Sequence, residues 1–254
     1  MSIKRIIRRL ARVAPANGLR CLLYRLGAVR IGKGVSIARG VILGAEVSVG
    51  PNTKIEPEVR IGEKAKVGSK VEIRRGTSIG PKVVIGDSAI IGGQSVLVNC
   101  IIGDRSFVEY GVVFAGNGEN WITVGRDSYV GIYAVLDNSG GIEIGDCVHI
   151  AGPTVGIWTH TSIYQCLVGD ELENTTRKVT APVKIECNVW IGGNSTIYPG
   201  VTIGHHSVVL PNSAVDEDIA PFSMVGGVPA RLKKRIEMDG KETRFVPEHL
   251  EKRA

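Results

Sequence analysis

From Ile31 onward every sixth residue is aliphatic for twelve consecutive units: Ile31, Ile37, Leu43, Val49, Ile55, Ile61, Val67, Ile73, Ile79, Ile85, Ile91 and Leu97. Four residues after each of these stands a small or β-branched side chain, such as Val35, Thr53, Ala65, Thr77 or Ser95. The residue directly after the aliphatic one is Gly in eight of the twelve units. A period of six with two inward positions fits neither a 3.6-residue helix nor an alternating strand. It fits a coil with flat sides, each unit a short strand plus a corner. Three units close a triangular turn of eighteen residues, and successive turns stack as parallel strands roughly 4.8 Å apart. The aliphatic residue points inward, the smaller one fills the remaining space, and Gly eases the tight backbone between them. An interior of this kind needs few aromatic rings, which agrees with an aromatic content of 5%.

The period slips at Asn99–Ile101, resumes at Ile102, Val108 and Phe114, and is interrupted again at 116–121. It returns at Val124, Val130, Leu136, Ile144 and Ile150, and a last clean run extends from Ile185 through Ile191, Ile197, Ile203 and Val209 to Val215. Residues 161–182 carry no period, and a long loop thrown out of the coil at that point is expected to serve a site. The expected organisation is therefore all-β, with a helical segment at 1–30, a parallel β-helix at 31–219 and a tail at 220–254.

Charge is unevenly placed. The first 30 residues hold eight basic side chains and no acid, leaving 23 basic against 25 acidic side chains for the rest. A nucleic-acid surface would need cations spread over a face among stacking aromatics, and residues 31–254 offer neither, so no nucleic-acid partner is expected. Ile3, Ile6, Ile7 and Leu10, then Leu19, Leu22, Leu23 and Leu26, fall at helical spacing on either side of Pro15. Two short amphipathic helices follow, able to cover an open end of the core, to lie on anionic lipid headgroups, or both. Charges interrupt every apolar run, so neither a membrane span nor a signal peptide is expected. The five cysteines are odd in number, scattered and never spaced C-x-x-C, which points to a reducing cytoplasm, not to disulfides or zinc.

The hexapeptide repeat resembles that of the left-handed parallel β-helix acyltransferases. The strings V-W-I-G-G-N-S-T-I-Y-P-G-V-T-I-G-H-H-S-V-V at 189–209 and A-P-F-S-M-V-G-G-V-P-A-R at 220–231 are similar to those of the maltose, galactoside and xenobiotic acetyltransferases and the polysaccharide O-acetyltransferases. Left-handedness is what the resemblance implies, since parallel crossovers are otherwise ~98% right-handed. The resemblance further implies acetyl-CoA as acyl donor, a saccharide acceptor, a homotrimer with sites between subunits, and no metal. The H-x-x-x-x-H pair of the zinc-binding carbonic anhydrases that share this fold is absent.

Acyl transfer from a thioester to a hydroxyl needs a base for the hydroxyl proton and donors for the oxyanion. An imidazole, with an ordinary pKa of ~6.5, suits the first task. Of His149, His160, His205, His206 and His249, His160 stands in I-W-T-H-T just before the irregular loop, where the family places its catalytic histidine. His205 and His206 fall at a repeat corner and are expected to be solvated, His249 lies in the charged tail, and His149 is a candidate for an acceptor contact near the site. No G-x-S-x-G motif is present, so direct attack in a ternary complex is expected, without an acyl-enzyme.

The coenzyme assignments are what the resemblance implies. Gly193 offers a backbone N–H to the thioester carbonyl. Gly193 and Pro211 flank the pantetheine arm, while Arg231 and Lys234, with Lys233 beside them, lie toward the phosphates. From their place before the coil that holds His160, and not from the resemblance, Asp137 and Asn138 are expected to orient the imidazole or hold the sugar, with Trp158 also on the acceptor side. Two departures stand out: Asp216–Glu217 replaces a Thr–Lys pair near the nucleotide, and Tyr133 replaces an acceptor-contacting Asn. Three functions stay open: a sugar O-acetyltransferase of cell-surface polysaccharide biosynthesis, an N-acetyltransferase of an amino sugar or small amine, and a β-helix scaffold without catalysis.

Overall fold

The computed structural model describes residues 3–116, 120–171 and 179–247. Strands of two or three residues recur at each hexapeptide and sort into three parallel sheets, every third strand belonging to the same one. The first sheet runs from Arg30–Ile31 to Thr202–Ile203, the second from Ser36–Ile37 to Ser223–Gly226, and the third from Ile42–Leu43 to Ala214–Val215. Rungs are eighteen residues apart where the repeat is clean: Ile31 lies beside Val49, and Ile185 beside Ile203. The slip at Asn99–Ile101 is a coil one residue short, which pairs Ile85 with Ile102. The architecture is the left-handed parallel β-helix.

The inward aliphatic ladder is buried after a half-buried first rung at Ile31, with Ile37, Ile55, Ile73 and Ile91 nearly inaccessible on successive rungs of the second sheet. Polar side chains at the smaller inward position bond the neighbouring coil: Thr53 Oγ1 donates to the Gly68 carbonyl at 2.8 Å and accepts from the Val71 N–H. The glycine after each aliphatic residue has a different cause from the expected one. A Cβ on Gly62 would stand 2.5 Å from Pro81 N in the next coil, so stacking distance excludes a side chain there. The conformational strain falls two residues later, where Glu46, Asn52, Lys64 and their equivalents take the left-handed region at each corner.

Two helices, α1 (Ile3–Val13) and α2 (Asn17–Leu26), close the first coil. Pro15 cannot continue α1 and marks the break. The face that seals the prism takes in only part of the aliphatic set: Leu23 packs against the core and Ile7 is half-buried. Ala11, Arg20, Cys21 and Tyr24 are buried, while Ile3, Ile6, Leu10, Leu19, Leu22 and Leu26 are exposed. The seal is made by hydrogen bonds to the strands and the inter-helix turn. Tyr24 Oη donates to the Val41 carbonyl at 2.6 Å, and the Arg20 guanidinium donates to the carbonyls of Ile37, Ala14 and Pro15. Beyond 220 the chain does not trail off: Arg231–Asp239 and Glu242–Pro247 form an antiparallel hairpin that extends the second sheet.

Candidate active site

Where the third sheet would turn back to the first, after Gly156–Ile157, the chain leaves the prism. His160–Thr161 pairs antiparallel with Val179–Thr180 as the base of the excursion, and a short helix α3 (Ile163–Leu167) lies beyond it. Thr159 faces inward and is fully buried; the residues two apart on the outward face, Trp158 and His160, are accessible.

The imidazole of His160 meets a buried carboxylate from the preceding coil. Nδ1 of His160 lies 2.7 Å from Oδ2 of Asp137, whose side chain is 6% exposed against 31% for the imidazole. The same carboxylate accepts from Ser139 Oγ at 2.8 Å, from the Ser139 and Thr159 N–H groups at 3.3 and 3.0 Å, and faces Thr159 Oγ1 at 2.8 Å. Burial by itself would raise the Asp137 pKa, but the hydrogen bonds from His160, Ser139 and Thr159 outweigh it and hold the group down to about 2. An ionised carboxylate only accepts, so Nδ1 carries the proton and Nε2 is left as the basic nitrogen. Of the two roles expected for Asp137, orienting the imidazole is the one that needs this contact. Ser139 reaches Asp137 locally, two residues on, whereas Thr159 escapes sequence reading because it meets Asp137 only when adjacent coils stack.

Asn138 is fully buried, and neither side-chain polar atom has a hydrogen-bond partner among the described residues. Gly116 packs directly over it: a Cβ there would fall 2.2 Å from Asn138 Oδ1. Trp158, 40% exposed, is the side chain of the acceptor group that reaches solvent beside His160.

The residues expected to hold coenzyme lie elsewhere on the prism. Gly193 and Pro211 occupy the corner between the second and third sheets on successive coils, where the Asn212 N–H donates to the Gly193 carbonyl at 3.0 Å. Gly193 stacks over Gly152, at the corner before the third-sheet strand Gly156–Ile157, whereas His160 follows that strand. Arg231 does not stand clear for a phosphate. Its Nη1 is 3.7 Å from Asp216 and 3.9 Å from Glu217, so the acidic pair that replaces Thr–Lys also partly neutralises the arginine. Lys234, in the hairpin, pairs with Met224 and is half-buried.

The other histidines differ from expectation in part. His205 and His206 are half-buried, not solvated: both rings pack on Phe222, with His206 stacked at 5.1 Å. His149 lies on the outer face of the second sheet, its ring 4.5 Å from Tyr129, and burial pulls its pKa down. His249 is outside the described residues. Tyr133 stands at a left-handed corner against Tyr110, with ring centroids 5.8 Å apart. Among the described residues no three His, Cys, Asp or Glu side chains are grouped to hold a metal ion, and no helix is long and apolar enough to cross a membrane.

Two stretches match hexapeptide families: residues 182–216 match the bacterial transferase hexapeptide (six repeats), and 58–86 match the hexapeptide repeat of succinyl-transferase. The chain is 35% identical over 136 residues to a galactoside O-acetyltransferase of Escherichia coli, an alignment covering 53% of this chain and 63% of that one. It thus spans less than two thirds of the length of the sequence relatives it matches. Among solved structures, a hexapeptide-repeat acetyltransferase of Vibrio cholerae complexed with acetyl coenzyme A is 20% identical, with a TM-score of 0.38 over 92% of this chain and 86% of that one. A maltose O-acetyltransferase of Clostridium difficile is 22% identical, with a TM-score of 0.38 over 92% and 85%.

Proposed function

From a chain built of bacterial-transferase hexapeptide repeats, we propose an acetyl-CoA-dependent O-acetyltransferase that acts on a sugar hydroxyl, with His160 as general base. The observation that carries this reading is the 2.7 Å contact between His160 and Asp137, a buried carboxylate with four other hydrogen-bond contacts within 3.3 Å that fixes the imidazole with Nε2 outward. Nε2 takes the acceptor hydroxyl proton as the oxygen bonds to the thioester carbonyl carbon. It returns that proton to the sulfur as the carbon–sulfur bond breaks, so no residue is acylated. The ionised Asp137 stabilises the imidazolium between the two transfers. Trp158 offers an apolar ring face to a sugar beside the base.

Donor and base sit at different corners. Gly193 and Pro211 are assigned to the pantetheine arm, with the Gly193 N–H toward the developing oxyanion. Lys234 and the partly neutralised Arg231 face the phosphates. Separation of these groups from His160 across the third sheet favours a homotrimer in which one subunit's donor corner faces its neighbour's imidazole. Free thiols at all five cysteines fit a reducing cytoplasm, and we assign the acceptor to cell-surface polysaccharide biosynthesis.

The test is His160→Ala with unchanged circular dichroism, assayed with radiolabelled acetyl-CoA against nucleotide sugars, lipid-linked saccharides and amino sugars. A fall of ~10²- to 10⁴-fold is expected. Undiminished transfer would remove the assigned base, and transfer confined to amines would replace the hydroxyl acceptor.

A further inference from the structure

We propose that the α1–α2 layer docks the protein onto the surface of an anionic lipid bilayer. This inference is independent of the acetyl-transfer reading. A helix pair that merely sealed the prism would turn its aliphatic residues toward the first coil. Here sealing is done by Ala11, Arg20, Cys21 and Tyr24 with the half-buried Leu23, and six of the larger aliphatics are left outside. Ile3, Ile6 and Leu10 of α1 are 74, 40 and 53% exposed, and Leu19, Leu22 and Leu26 of α2 are 43, 51 and 58% exposed. Exposed aliphatics concentrated on two short helices exceed the scatter normal for a soluble surface.

Charge decides what covers them. The layer and the turn after it carry eight cations and no acid. Arg8, Arg20 and Arg25 donate to backbone carbonyls, not to carboxylates. Arg5, Arg8, Arg9 and Arg12 line one cleft of about 300 Å³ between α1 and the strand Ile42–Leu43. A second copy laid face to face would set the exposed Lys4, Arg5, Arg9, Arg12 and Arg25 against the same cations of its partner, which is repulsive at contact distance. A bilayer surface bearing anionic headgroups satisfies both features, taking the aliphatic side chains into the headgroup–acyl boundary and the arginines onto phosphates.

The experiment is co-sedimentation of the full chain with vesicles of phosphatidylcholine alone or mixed with phosphatidylglycerol, at low and high salt. Binding to the phosphatidylglycerol vesicles is expected, falling as salt rises. Leu10→Ser/Leu22→Ser, which keeps the charge, is expected to weaken it by on the order of a hundredfold. Arg5→Gln/Arg12→Gln is expected to remove the preference for phosphatidylglycerol. Circular dichroism and the thermal midpoint of each variant are measured alongside, since all four positions are exposed and the fold should persist. Failure to sediment with either vesicle, equal sedimentation with neutral ones, or indifference to the leucine changes would each overturn the proposal. So would a solution mass that drops in the leucine variant, because a second copy would then occupy the face.

Discussion

Replacing Asp137 by Asn changes one oxygen to an amide of the same shape, so the packing around it is held while charge and acceptor capacity are lost. The carboxylate accepts from Ser139 Oγ and two backbone N–H groups besides facing His160 and Thr159 Oγ1, so a new NH₂ must point at an existing donor. The size of the loss follows from linkage. The folded protein lowers this group from 3.8 to about 2, a differential interaction of about 2 to 3 kcal/mol in favour of the ionised native state. A destabilisation of that size is expected by urea unfolding near neutral pH. In catalysis the Asn leaves Nδ1 without its acceptor, freeing the ring to turn or to adopt the other tautomer, which removes basicity from Nε2. A drop of ~10²- to 10³-fold in kcat, with a smaller change in KM, is expected in a coenzyme A thiol-release assay. The decisive measurement is the cycle with His160→Ala: once the imidazole is gone, Asp137→Asn should cost little further activity, though it still costs stability. Full activity in Asp137→Asn, or a catalytic loss that persists undiminished in the His160→Ala background, would refute the orientation argument.

Other consequences are open to measurement. Because the Asp137 pKa is depressed, its contribution to stability is complete above about pH 4 and is lost as pH falls toward 2; acid unfolding of the wild type should show this component and Asp137→Asn should lack it. Gly62→Ala places a Cβ 2.5 Å from the next coil's backbone and should destabilise by roughly 1 to 3 kcal/mol or more, whereas Gly18→Ala, in α2 with open space around it, should stabilise by about 0.5 to 1 kcal/mol; thermal unfolding of the two distinguishes stacking distance from helix propensity. Ile91→Ala empties a fully buried rung and should cost about 2 to 5 kcal/mol by urea unfolding. Light scattering should give a trimeric mass, and a fully active monomer would contradict the shared-cleft arrangement.

The coiled architecture was legible because its cause is local and repeated: the same two inward positions recur at every sixth residue, so one rung explains all of them. His160 was legible for a related reason, since it stands where the period stops. Asp137 was noticed beside it with two roles open, and nothing in the chain distinguished them. Its partner Ser139 lies two residues on, within reach of a local turn, but Thr159 could not be read at all. Thr159 reaches Asp137 across 22 residues, an offset set by an irregular coil and not by the eighteen-residue repeat. The acidic pair Asp216–Glu217 was visible as a departure, but its contact with Arg231 arises only once the hairpin folds back over the prism end.

Periodicity and composition alone therefore determined that the chain coils into stacked flat-sided turns with an aliphatic interior and a basic helical start. They could do so because burial of a repeated face depends on spacing, which a sequence carries. Which helix face seals the prism, which carboxylate meets the His160 imidazole, and at which corner Gly193 and Pro211 lie were decided by tertiary structure. Those relations depend on which coil lies against which, and an amphipathic pattern or an isolated acid is compatible with more than one such arrangement.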